Sequence, residues 1–252
     1  LKKRNKYLAA LERFNIEPNF WCAQEYFDKA GWKVWIDDGV VGYVLSDEHP
    51  MLSPVGLVTG IIYDTGVLRW GVWALFPGEF GDFLDYNFIY DSKRFLDLSG
   101  GDFQTFRKNS RKFINRNPDK KFVYRDASDK DDLTEFLLEW LEKKEGVIHD
   151  DEVIIKYLES GENRKVLVDE NDVVYGVNIW DENYCYINYR YCFCKPGQYL
   201  SEYLRLLFYT SPEVQLSGKL VNDGGCLGDD NLFKFKMKLN PVKINKIYTG
   251  LR

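Results

Sequence analysis

The chain has 252 residues, 45% of them hydrophobic, with 34 Lys and Arg against 39 Asp and Glu, a formal net charge of −5. That length fits one large domain or two of about 120 residues, each able to bury a core. The acidic balance excludes a surface that binds nucleic acid all over, though not a local basic patch.

In chain order, the opening LKKRNKYLAALERF is basic and then helical, with no long apolar core, so no signal peptide is expected. Residues 1–30 read as helix, broken near Pro18. Trp32–Ile36 and Val40–Leu45 read as a hairpin around Asp37-Asp38-Gly39. Residues 56–63 and 67–76 are expected strands. Asp64 and Arg69 interrupt their apolar run, so it is too short to cross a bilayer. Residues 78–98 hold a short strand and then a helix. Residues 103–117 form a basic helix carrying Arg107, Lys108, Arg111, Lys112 and Arg116, stopped by Asn117-Pro118-Asp119. Lys121–Tyr124 is a strand, and the polar run 125–132 is the candidate for a boundary or a helix N-cap. Helices follow at 132–145 and Val153–Leu158. Three strands come next, at Lys165–Asp169, Val173–Trp180 and Tyr184–Phe193. A helix at 196–209, a strand at Lys219–Asn222 and a strand at Pro241–Thr249 complete the chain.

The predicted class is α/β (α+β), with mixed, mostly antiparallel sheets flanked by helices. The order helix–helix–strand–strand–strand–helix–strand over 128–223 is that of a GNAT-type domain. Residues 1–125 show a comparable pattern. Two tandem GNAT-like domains are therefore expected, at 1–125 and 126–252, side by side or sharing one sheet.

Five cysteines without a framework point to reduced thiols and a cytoplasmic protein. Cys192 and Cys194 share a strand face, but His49 and His149 are remote, so no metal site is expected.

The segment VNDGGCLGDDNLFKFKMKLNP (221–241) is the most informative stretch. Gly224 and Gly225 permit a positive φ, Asp229 and Asp230 suit a helix start, and Pro241 ends the element. A tight turn feeding a lysine-bearing helix presents a cation to an anionic or carbonyl-bearing substrate. A surface helix with solvated lysines is the alternative. The helix at 103–117 offers the same choice between a solvated face and a phosphate-binding one. Arg107 and Arg111 share its surface.

Asn222, Gly228, Leu232, Lys236 and Pro241 resemble the C-terminal signature of a GNAT-like family of unknown function. That family is related to the catalytic domain of phosphatidylglycerol lysyltransferases. Leu98, Gly100, Arg107, Asn109 and Phe113, then Trp140, then Gly197-Gln198-Tyr199 are similar to its other motifs, in the same order. Gly224 and Cys226 depart from it, standing where the family carries Glu and Asp. With an ungapped register, Tyr189 and Arg190 replace a Glu-Lys pair.

The resemblance implies an acyltransferase, with aminoacyl-tRNA or acyl-CoA as donor and an amine or hydroxyl acceptor. A catalytically degenerate binding module is the alternative. Only one glycine and Pro196 occupy the turn before the 196–209 helix, which argues against acyl-CoA. Lys236 is expected to stabilise an oxyanion at the lip of a cleft, Asn222 to orient the acceptor, and Tyr199 to donate a late proton. Arg107, Asn109, Arg111, Gly197, Gln198, Gly228 and Asp229 are expected to bind substrate. The candidate partners are tRNA and an anionic-lipid or nucleotide-linked acceptor. Asp223 and Asp229 are candidate bases, and Cys226 is a disfavoured nucleophile, since no histidine lies near it in sequence.

Overall fold

A computed structural model describes residues 82–128, 133–142, 151–160 and 163–249, with shorter stretches at 12, 17–18, 20, 23–30, 33–37, 40–44 and 50–51. The strands expected at 56–63 and 67–76, and most of the expected N-terminal helix, lie outside the described residues.

The first elements are helix α1 (Gln24–Ala30) and strands β1 (Lys33–Asp37), β2 (Val40–Val44) and β3 (Pro50–Met51). The three strands form a small antiparallel sheet. Asp37 opposes Val40, so β1 and β2 pair in the antiparallel register expected of them.

The larger sheet has seven strands in the order β10-β4-β9-β8-β7-β6-β5. They are β4 (Asp82–Tyr90), β5 (Val123–Asp126), β6 (Arg164–Val168), β7 (Val174–Glu182), β8 (Tyr186–Cys194), β9 (Leu220–Asn222) and β10 (Lys243–Thr249). Every neighbouring pair is antiparallel except β8 and β9. This sheet crosses the boundary expected at 125/126, because β4 comes from before it and pairs with both β9 and β10. A second sheet of this size is not among the described residues.

Helices cover both faces. On one lie α2 (Gln104–Asn115), α5 (Leu200–Tyr209) and the short α6 (Pro212–Leu216), with a 3-10 turn at Ser92–Phe95. Phe106, Ser110 and Phe113 of α2 are buried at helical spacing, and Phe113 stacks on Tyr203 of α5 at 5.1 Å. Leu200, Leu204, Phe208 and Tyr209 of α5 are buried in the same layer. On the other face α1, α3 (Leu133–Glu142) and α4 (Asp151–Ser160) close a core of Tyr26, Leu137, Ile154, Tyr157, Ile179 and Phe193.

One irregularity sets the phase of β8. Ile179 opposes Tyr191 and Trp180 opposes Tyr189, so Arg190 is an extra residue in a β-bulge. Before it, Tyr189 stacks on Phe208 of α5 at 4.1 Å. After it, Tyr191 and Phe193 pack into the opposite core, while Cys192 packs on the α5 side.

Candidate functional site

The site begins where two parallel strands part. β8 and β9 pair over Tyr186–Leu220, Ile187–Val221 and Asn188–Asn222 only. Beyond Asn222 the chain follows β4 instead. Asp223 N donates to Phe88 O at 2.9 Å, and Phe88 N donates to Gly224 O at 3.1 Å. β8 runs on to Cys194, and a cleft of about 540 Å³ opens beside its free end.

The last helix, α7 (Asp230–Met237), forms one wall. Asp229 caps it, accepting from the Asn231 and Leu232 amides at 2.7 and 3.1 Å. Phe136 and Trp140 of α3, with Leu232 and Phe235 of α7, give the cleft an apolar side. Cys192, Cys194 and the turn into α5 give the other. That helix begins at Tyr199, a left-handed residue (φ 70°) with no side-chain cap. Its first amides therefore lack the capping partner that a Ser or Asp would supply.

Arg205 of α5 also lines the cleft. It is buried, with its guanidinium 5.0 Å from the Tyr189 ring and 5.3 Å from the Phe235 ring. Its Nη1 donates to Asp223 Oδ2, but its buried Nε has no partner among the described residues. Asp223 also accepts from Tyr209 Oη at 3.2 Å and pairs with Lys236 Nζ at 3.3 Å. Two cations thus share the Asp223 carboxylate, and the buried Asp85 carboxylate also acts on Lys236. Burial pushes the Lys236 ammonium below its ordinary value, Asp223 pulls it back up, and Arg205 pushes it down again.

The expected site residues are dispersed. Gly197 and Asp229 line the cleft. Lys236 does not. Only 4% exposed, it donates to the carbonyl oxygens of Asp223 and, at 2.6 Å, of Gly225. It clamps the 223–225 turn from behind because L-x-x-x-K spacing turns it inward with the helix's apolar face. Asn222 is buried in the sheet, accepting from Gly224 N at 3.0 Å and donating to Asn87 Oδ1 at 3.3 Å. Tyr199 turns its ring toward α2, where Lys112 and Arg116 lie over it and Lys112 Nζ donates to its hydroxyl at 3.2 Å. Gln198 accepts from Arg116. Gly228 takes φ 77°, which its place before the α7 cap requires.

The basic helix is largely committed internally. Arg107 donates to Leu98 O, and Asn109 Nδ2 donates to Glu202 at 3.1 Å. Lys108 and Arg111 are exposed. The candidate base Asp223 has its lone pairs taken by Arg205, Lys236 and Tyr209.

Two functional groups escaped the sequence. Arg205 carries a faint signal: in SEYLRLLFY it is the one cation on the apolar stripe of an amphipathic helix. Asp85 carries none. Its carboxylate accepts from the Cys226 and Leu227 amides at 3.0 and 2.9 Å and lies 3.4 Å from Cys226 Sγ. A carboxylate from β4 therefore stands beside the position where the resembled family has its own acid. Burial and Asp85 together push the Cys226 thiol up to about 11.

No family model matches the chain, and no curated protein matches it. Solved structures do. L-PGS from Bacillus licheniformis superposes with a TM-score of 0.63 at 14% identity, covering 98% of this chain and 91% of that one. The C-terminal (DUF2156) domain of a putative lysylphosphatidylglycerol synthetase from Agrobacterium fabrum gives 0.59 at 11% identity, covering 98% and 92%. This chain has the fold of those synthetase domains. A conserved protein of unknown function from Bacteroides thetaiotaomicron shares it too, with a TM-score of 0.68 at 15% identity over 92% of this chain and 89% of that one. The GNAT-like, transferase-like architecture expected from the sequence is thus present. Among the described residues, no helix is long and apolar enough to cross a membrane.

Proposed function

We propose that the chain is an acyltransferase that holds an acyl or aminoacyl donor in the cleft beside β8 and passes the group to an amine or hydroxyl acceptor. The carrying observation is Arg205: a buried guanidinium lining the cleft, with one donor unpartnered, held with Lys236 on the Asp223 carboxylate. Charge that develops on a carbonyl oxygen during acyl transfer is stabilised by such a fixed, water-poor donor, typically by about 3–4 kcal/mol. The apolar wall of Phe136, Trp140 and Phe235 suits the organic part of the donor. Aminoacyl-tRNA is favoured over acyl-CoA, because the α5 entry has a single glycine and Pro196. The exposed Lys108 and Arg111 are the cations free to meet a tRNA or an anionic, phosphate-bearing acceptor. We assign the protein to the cytoplasm, with residues 1–125 as a second GNAT-like unit.

The test is transfer of a labelled acyl group from aminoacyl-tRNA, and separately from acyl-CoA, by the wild-type protein and by Arg205→Lys. Arginine to lysine keeps the charge and removes the planar fork. Turnover should fall by roughly 10²-fold or more, with the fold retained by circular dichroism. Equal turnover in the two proteins removes Arg205 from the mechanism.

A degenerate binding module is the second reading. It is favoured by Lys236, whose ammonium is occupied by Asp223 and Gly225. Donor binding without turnover in the same assay would establish it.

A further inference from the structure

The sheet face opposite α5 carries polar groups where a core face should be apolar. Asp181, Asn188 and Asn222 stand opposite one another on β7, β8 and β9, and Asn222 Nδ2 donates to Asn87 on β4. All four are buried. Arg190, two residues beyond Asn188 on β8, shares this face. Its Nε donates to Asp181 Oδ2 at 2.6 Å, Tyr157 Oη donates to the same oxygen at 2.5 Å, and Asn188 Nδ2 donates to Asp181 Oδ1 at 2.9 Å.

The cluster is incomplete. Arg190 Nη1 and Nη2, on a side chain 1% exposed, have no partner among the described residues, and neither does Asn188 Oδ1. Buried donors and acceptors left unpaired are rare in folded proteins and mark a place for a ligand or ordered water. The guanidinium lies 4.4 Å from the Phe20 ring and 4.5 Å from the Tyr26 ring. Tyr26 is buried, but Phe20 is only partly so. Phe20 also rests on Gly224, where a Cβ would come within 3.1 Å of the ring. Of the two rings beside the guanidinium, Phe20 is the less buried.

We propose that Arg190 and Asn188 form a second binding site, lidded by Phe20, for a neutral ligand presenting a carboxamide. The open groups fix that class. Two parallel guanidinium donors suit a carbonyl oxygen, and Asn188 Oδ1 needs an N–H opposite it. Asp181 already neutralises Arg190, so a carboxylate would bring an uncompensated charge into the interior. A glycine at 224 makes room for the ring, where the resembled family's glutamate side chain would compete with it.

The experiment uses the full chain with isotope-labelled arginine, following the Arg190 Nη resonances by NMR. Propionamide is titrated against propionate and propanol. Propionamide should move the Arg190 signals, bind roughly tenfold more tightly once Phe20→Ala opens the lid, and lose its effect in Asn188→Ser. If Phe20→Ala does not fold, Phe20→Leu replaces it. Three outcomes overturn the proposal: propionate binding as well as propionamide, an unchanged response in Asn188→Ser, or no probe response, which would mean that the cluster takes no ligand of this class. Because the readout is binding, it stands or falls independently of acyl transfer.

Discussion

Lys236→Met separates a clamp from a surface cation. The ammonium ties two backbone carbonyls, Asp223 O and Gly225 O, to one carboxylate oxygen. Methionine fills the volume but leaves both carbonyls unpaired in the interior, at about 1–3 kcal/mol each. Asp223 keeps Arg205 as a partner, so no isolated buried charge remains. Relief of the lysine's own desolvation offsets part of the loss. The net cost is about 2–4 kcal/mol, and a chain of this size loses about 2–4 °C per kcal/mol. Thermal unfolding followed by circular dichroism at pH 7 should therefore show a midpoint lower by about 5–15 °C. The pH arm has a definite sign. Burial holds the folded-state Lys236 below its unfolded value of 10.5, so the folded form binds fewer protons between the two. Wild-type stability then rises with pH across that window and falls as pH drops through the folded value. The methionine variant lacks this rise, so the stability gap should widen on going from neutral pH toward 10.5. A midpoint unchanged within about 1 °C at both ends would refute the clamp and return Lys236 to the cleft-lip role expected of it.

Three further outcomes follow from the same geometry. Gly225→Ala should cost more than about 2 kcal/mol, since the new Cβ would sit 1.9 Å from Asp85 Oδ2 and 2.7 Å from Tyr86 O; denaturant unfolding checks it. Native Cys226 should resist iodoacetamide at pH 7.5 and label only on unfolding, because its thiol titrates near 11; peptide mass spectrometry reads this, and rapid native labelling would contradict the burial. Arg111→Glu should weaken binding of tRNA or anionic vesicles and reduce its salt dependence with little loss of stability. Arg107→Glu should destabilise by about 1–2 kcal/mol by freeing Leu98 O, and equal behaviour of the two variants would deny them separate roles.

Most elements were legible because their patterns are local. Phe106 and Phe113 mark the buried stripe of α2, and glycine or Asp-Asn turns punctuate β6, β7 and β8. α6 was missed because its five residues hold too few turns for a periodicity. The partners of β4 were not legible because its pairing with β9 and β10 spans more than 130 residues, and no local pattern encodes such a partner. The site was less legible for the same reason. Lys236 was singled out by the family resemblance, but its direction depends on which face of α7 packs. Asp85 meets Cys226 across 141 residues. Arg205 and Arg190 acquire their meaning from atoms left unpaired, which composition cannot show.

The bulge at Arg190 inserts a charge without disturbing the strand around it. With Arg190 deleted, Tyr189 and Tyr191 would follow one another in ordinary alternation, still opposite Trp180 and Ile179. Cys192 and Cys194 would keep their place on the cleft, and Phe193 would still meet Trp140 at 4.8 Å. A relative one residue shorter in this strand would therefore keep the same lining and lose only the guanidinium, so the cation can come and go while the pairing on either side stays fixed.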